Sequence, residues 1–151
     1  MPTARLFFDS SALVAGVASE TGAARALLIL AEAEQIDIVV SEQVVAESER
    51  TLARKLPRAL PAFRPLLLAT RLSIVRDPEP DAVDAHGSLI AHRADLPVLV
   101  AAMTAGVDYL VTFNRRHFLD DPGVAVRSGL RIGSPADALA WIRAQRSEFA
   151  G

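Results

Sequence analysis

Cysteine is absent from this 151-residue chain, which excludes a disulfide framework and any thiolate metal site. Lysine is nearly absent too. Lys55 stands alone and arginine supplies the remaining side-chain cations, a choice that suits phosphate but equally follows genome composition. Aromatic residues make up 5 %, so a core must be assembled from Ala, Val, Leu and Ile. No run approaches the roughly 18 uninterrupted apolar residues of a membrane span. The opening Met1-Pro2-Thr3-Ala4-Arg5 lacks a basic region followed by an apolar segment and cleavage site, so the expectation is a cytoplasmic protein without secretion signal or membrane anchor. A net charge of −2 excludes a broadly basic nucleic-acid coat. A nucleic-acid ligand would need a local basic patch beside an acidic centre.

Several motifs are missing as well. No Gly-x-Gly follows the first strand, no P-loop occurs, and no Gly-x-Ser-x-Gly elbow is present, which argues against dinucleotide, nucleotide-triphosphate and serine-hydrolase chemistry. A phosphoryl-accepting receiver domain needs a lysine after its last strand, and Lys55 is far from there.

What is present is alternation. Leu6-Phe7-Phe8-Asp9 reads as a buried strand, with Ser10 or Ser11 capping a short helix to about Ala18. Thr21 to Glu34 predicts a helix capped by Thr21, and Ile36 to Val40 a β-branched second strand. Ser41 then caps a helix, with Glu42 suiting its dipole and Pro57 stopping it after Leu56. A proline-punctuated helical stretch, Arg58 to Thr70, leads to strand three at Leu72 to Val75. Asp81 to Arg93 predicts a further helix, and Asp95 caps another that Gly106 closes. Tyr109 to Thr112 is strand four, followed by a turn to His117 and a loop through Asp120, Asp121 and Gly123. Leu130 to Ile132 reads as a fifth strand, and Ser134-Pro135 opens a last helix to about Arg146. Strands alternating with helices predict a three-layer α/β/α sandwich on a central parallel sheet of four to five strands, as one domain over residues 1–151.

Parallel strands point one way, so residues just past their carboxyl ends collect at one edge, where open α/β sheets bind ligands. Asp9 follows strand one, Thr112 and Asn114 follow strand four, and Asp95 reaches the same edge if its helix starts there. Clustered carboxylates raise one another's pKa and stay ionised together around a divalent ion. An all-oxygen ligand set points to Mg²⁺ or Mn²⁺, which suits phosphodiester hydrolysis.

The spaced set Leu-Phe-Phe-Asp9-Ser-Ser11, Ser41-Glu-Gln-Val-Val-Ala-Glu47, Asp95-Leu-Pro-Val-Leu-Val-Ala-Ala and Asp108-Tyr-Leu-Val-Thr112-Phe-Asn114-Arg-Arg-His-Phe resembles the PIN domain family. The likeness runs from about residue 5 to 133, and is greatest to the toxins of VapC-type toxin–antitoxin pairs. It implies a metal-dependent endoribonuclease, Asp9, Glu47 and Asp95 as Mg²⁺ or Mn²⁺ ligands, and Ser11 and Thr112 in support. Cleavage leaving 5′-phosphate and 3′-hydroxyl ends, a homodimer and a cognate antitoxin follow from the same resemblance. Where many relatives carry a fourth acid, this chain has Asn114, which offers a carbonyl oxygen without charge. Asp120 or Asp121 could compensate. The alternative is a degenerate PIN fold that binds RNA or protein without cutting.

Each residue also has a plainer reading. Asp9 and Asp95 suit helix capping, and Asn114 suits a turn. On the third helix Val44, Val45, Ser48 and Leu52 form the buried face with Glu47 and Glu49 flanking it; periodicity does not choose between the two acids, and only the resemblance selects Glu47. Arg115 and Arg116 are placed to hold RNA phosphates or to sit in a solvated turn. Arg54, Lys55 and Arg58 form a second basic cluster. His86, His92 and His117 read as surface or partly packed residues.

Overall fold

A computed structural model describes residues 3–150, with the side chains of residues 3–148. Strand β1 (Arg5–Phe8) carries Leu6, Phe7 and Phe8, all without solvent exposure. It lies at the centre of a five-stranded parallel sheet together with β2 (Asp37–Ser41), β3 (Ser73–Val75), β4 (Tyr109–Val111) and β5 (Arg131–Gly133), in the order β3-β2-β1-β4-β5. Leu6 pairs with Ile38 on one side and Tyr109 on the other. A strand covered on both faces and both edges has no polar side to show, which is why its sequence is a continuous apolar run.

Helices α1 (Ser10–Ala18), α2 (Ala23–Glu32), α3 (Glu42–Lys55), α4 (Leu60–Ala69) and α8 (Pro135–Ala150) pack in succession, α4 on α3, α3 on α1, α1 on α2, and α2 on α8. Helix α6 (Leu96–Thr104), with α5 (Pro80–Ala85) against it, supplies the other layer. Leu96 and Val98 to Ala102 are all buried, so α6 is a core helix. This is the expected three-layer sandwich. Among the described residues no single helix is long and apolar enough to cross a membrane.

The departures are local. The helix expected over Asp81 to Arg93 ends at Ala85. His86 Nδ1 sits 2.7 Å from the Ala82 carbonyl, and Gly87 follows. A carbonyl taken by a side chain and a residue of high backbone entropy both end helices. Residues 86–92 run irregularly to a 3-10 turn at Arg93–Asp95. Helix α1 is capped by Asp9, whose side chain accepts from the Ala12 amide, in place of either serine. Gly22, not Thr21, stands at the start of α2. An unexpected helix α7 (Gly123–Ser128) is anchored by Val124 and ends at Gly129, in the left-handed region that glycine takes at no steric cost.

Phe63 is the buried residue of α4 and has no exposure, whereas Leu68 on the same helix is 79 % exposed. Phe63→Ala is expected to cost about 3–5 kcal/mol in urea unfolding, and Leu68→Ala under about 0.5 kcal/mol. Equal effects would mean that α4 is not held through Phe63.

Candidate active site

The sheet order reverses beside β1: the chain runs from β1 outward to β2 and β3, then crosses to β4 on the other flank. Ligand crevices of open α/β sheets lie at such a switch point, beyond the carboxyl ends of the strands. Asp9 sits there. Its amide donates to the Val111 carbonyl at 3.1 Å, continuing the β1–β4 ladder by one residue.

Asp9 is 6 % exposed, and its side chain is held by three donors. Oδ1 accepts from Ser11 Oγ at 2.6 Å and from the Ala12 amide at 3.0 Å, and Oδ2 accepts from Thr112 Oγ1. These hydroxyls are themselves engaged, Ser11 Oγ by the Phe113 amide and Thr112 Oγ1 by the Asn114 amide, both at 2.9 Å. Burial still dominates and holds the Asp9 pKa above the ordinary 3.8; the hydrogen bonds oppose the rise, and Asp95 adds to it.

Asp9 shares a small cavity of about 90 Å³ with Ser11, Gln43, Glu47, Asp95 and Asn114. Glu47 faces it from α3, its Oε1 accepting from Gln43 Nε2 at 2.9 Å, while Glu49 turns away to pair with Arg64 of α4 at 2.9 Å. The structure thus separates two acids that periodicity leaves equivalent.

Asp95 occupies the N-cap position of α6 but makes no capping hydrogen bond, contrary to the expected capping role. Its carboxylate turns toward two imidazoles, with Oδ2 2.6 Å from His117 Nδ1 and 3.4 Å from His92 Nδ1. Burial raises the Asp95 pKa, the two histidines oppose it, and Glu47 adds to it.

Asn114 lines the cavity and caps a π-helical turn, Arg115–Leu119. Its Oδ1 accepts from the His117 amide at 3.2 Å, leaving one lone pair of that oxygen for another partner. Asp121 is held by Arg127 at 2.9 Å and by the Gly123 amide, outside the cavity. Arg115 and Arg116 are exposed on the π turn and form no ion pair among the described residues. Lys55 and Arg58 line a separate groove with Arg25.

As a donor set for a hard divalent ion these residues fit. The buried carboxylate of Asp9 and the half-buried side chains of Glu47, Asp95 and Asn114 line one cavity, and Asp95 Oδ2 is buried without an aligned hydrogen-bond donor. Asp9, Glu47 and Asp95 do not, however, all approach within 4.8 Å; among the described residues the group that does is His92, Asp95 and His117. Those two histidines are what the sequence reading passed over. His92 lies three residues before Asp95 and His117 three after Asn114, the only trace in the sequence of their meeting.

The PIN domain family model matches residues 5–116, so the chain belongs to the PIN domain family. Solved structures share the fold at low identity. VapBC2 from Rickettsia felis, bound to a DNA fragment from its promoter, is 19 % identical over 86 % of this chain and 98 % of that one, with a TM-score of 0.59. PAE2754 from Pyrobaculum aerophilum is 16 % identical over 93 % and 96 %, with a TM-score of 0.63. FitAcB from Neisseria gonorrhoeae is 18 % identical over 86 % and 97 %, with a TM-score of 0.53. Comparison with curated proteins gives no match.

Because the Asp9 pKa is raised in the fold, the native state binds more protons than the unfolded state between the two pKa values, and stability falls as pH rises through that interval. Asp9→Asn is expected to flatten the fall in metal-free Tm as pH rises above about 4, the ordinary carboxylate range. An unaltered pH slope would mean that burial does not raise the Asp9 pKa in the fold.

Proposed function

We propose that this chain is a metal-dependent endoribonuclease and the toxin half of a toxin–antitoxin pair. The observation that carries the reading is the buried Asp9 carboxylate at the switch point, facing Glu47 and Asp95 across one cavity. Membership of the PIN family supports it. So do the shared fold of VapBC2 and FitAcB, and the VapBC pairing with an antitoxin that the family resemblance implies.

Asp9, Glu47 and Asp95 would hold Mg²⁺ or Mn²⁺, with Asn114 adding a neutral oxygen. A bound ion of this kind supplies charge for the phosphodiester and acidifies water. The protein's own part is to fix the carboxylates and position the strand. Ser11 and Thr112 pin Asp9 in one rotamer, and the Asn114 amide is locked to Thr112 Oγ1. Arg115 and Arg116 project from the turn that follows, placed to take the phosphates flanking the scissile bond, and Arg suits that task through paired N–H donors. In-line attack by water leaves 5′-phosphate and 3′-hydroxyl ends. The chain acts in the cytoplasm as a homodimer, with a cognate antitoxin silencing the site.

The test is cleavage of RNA by purified protein with Mn²⁺, with chelator, and for Asp9→Ala. Cleavage that needs the ion and falls at least about a hundredfold in Asp9→Ala supports the reading, a loss of about 2.7 kcal/mol in transition-state stabilisation. Asp9→Ala cutting as fast as wild type overturns the site. RNA bound but never cut would favour the degenerate, binding-only fold. Arg115→Ala with Arg116→Ala is expected to raise KM more than it lowers kcat, since phosphate contacts made equally in ground and transition states act on binding.

A further inference from the structure

We propose that His92, Asp95 and His117 form a separate cation site, selective for a zinc-type transition ion over Mg²⁺, beside the cavity that only Asp95 of the three lines. It borrows Asp95 from the nuclease reading but needs no catalysis. One ligand atom from each of the three residues lies within 4.8 Å of the other two. His92 and Asp95 belong to one 3-10 turn at a spacing of three residues, and His117 arrives from the π turn with its ring stacked on His92 at 3.6 Å.

His117 Nδ1 lies 2.6 Å from Asp95 Oδ2 and 2.9 Å from Asn114 Nδ2. Asp95 Oδ2 is buried and has no aligned donor despite the close imidazole, so a cation seated between Nδ1 and Oδ2 would give both a partner.

Ligands held about 2.0–2.1 Å from a tetrahedral ion sit roughly 3.4 Å apart. The His92–Asp95 separation of 3.4 Å already matches, the His117 contact has less than 1 Å to open, and the stacked rings must splay so that both lone pairs, which lie in the ring planes, meet the ion. His92 is 53 % exposed on its side chain, which gives an ion a path in from solvent and leaves room for water as a fourth ligand. Two imidazoles and one carboxylate suit Zn²⁺, Co²⁺ or Ni²⁺, whereas Mg²⁺ prefers oxygen and keeps its waters. An ion held here draws Asp95 Oδ2 away from the carboxylate cavity.

Co²⁺ serves as the spectroscopic probe on the metal-stripped full chain. Wild type is expected to develop visible d–d absorption at one equivalent. Stoichiometric Zn²⁺ should bleach that band and millimolar Mg²⁺ should not. His92→Gln and His117→Gln are each expected to weaken Co²⁺ binding by at least about tenfold, while Asp9→Asn retains it; circular dichroism checks that each variant is folded. His92, half exposed, is the variant that keeps the test valid if His117→Gln does not fold. Unchanged Co²⁺ affinity in folded histidine variants overturns the site. Loss in Asp9→Asn with retention in both histidine variants places the transition ion in the carboxylate cavity, which overturns this proposal and leaves the nuclease reading intact.

Discussion

The centre of this molecule depends on one carboxylate kept ionisable in a largely desolvated position. Asp9 follows the central strand, whose Leu6, Phe7 and Phe8 have no solvent contact, at the point where the sheet changes direction. An unpaired charge there would cost several kcal/mol. The fold offsets that cost with three donors, two of which are locked in turn by backbone amides of residues 113 and 114. Each hydroxyl both donates and accepts, so neither can rotate away without breaking a second bond. Such closed networks hold geometry better than the same bonds made singly.

The remaining negative charge is distributed by the topology. Helix α3 brings Glu47 and the 3-10 turn brings Asp95, and both look onto the cavity that Asp9 closes from below. Asp95 would be a plain helix cap in most settings. Here the cap is given up, and the carboxylate is turned outward to imidazoles. A residue that abandons its local hydrogen bond for a distant partner marks where tertiary demands override local ones.

Much of this was legible in the residues. The run Leu6-Phe7-Phe8 followed by acid and hydroxyls could only be a buried strand ending at a polar edge, and the β-branched segment at 36–40 left little choice for its neighbour. Parallel sense and three layers followed from alternation, whereas the strand order did not, since alternation leaves open on which flank of β1 each later strand is added. Glu47 was not readable, because Glu49 flanks the same buried stripe and only Arg64, fifteen residues on, removes it from consideration. The histidines were hidden for a different reason. His92 lies in an irregular stretch without period, where Gly87 and the His86 side chain end a helix expected to run through Arg93. His117 depends on a π turn, whose extra residue per turn shifts every later side chain. Helix α7 went unseen because six residues with one strong apolar anchor, Val124, carry too little pattern.

The clasp between β1 and β4 also governs when the centre can exist. Asp9 and Thr112 are 103 residues apart, so closing that contact must follow synthesis of most of the polypeptide and the seating of α6 between them in sequence. Contacts of such long separation form late and slowly, because a large loop must be ordered before they return anything. A chain still emerging from the ribosome at residue 100 has its first acid and the local donors of Ser11 and Ala12, but not the Thr112 hydroxyl that closes the grip. The pocket therefore arises in one late event, in molecules that have left synthesis nearly whole.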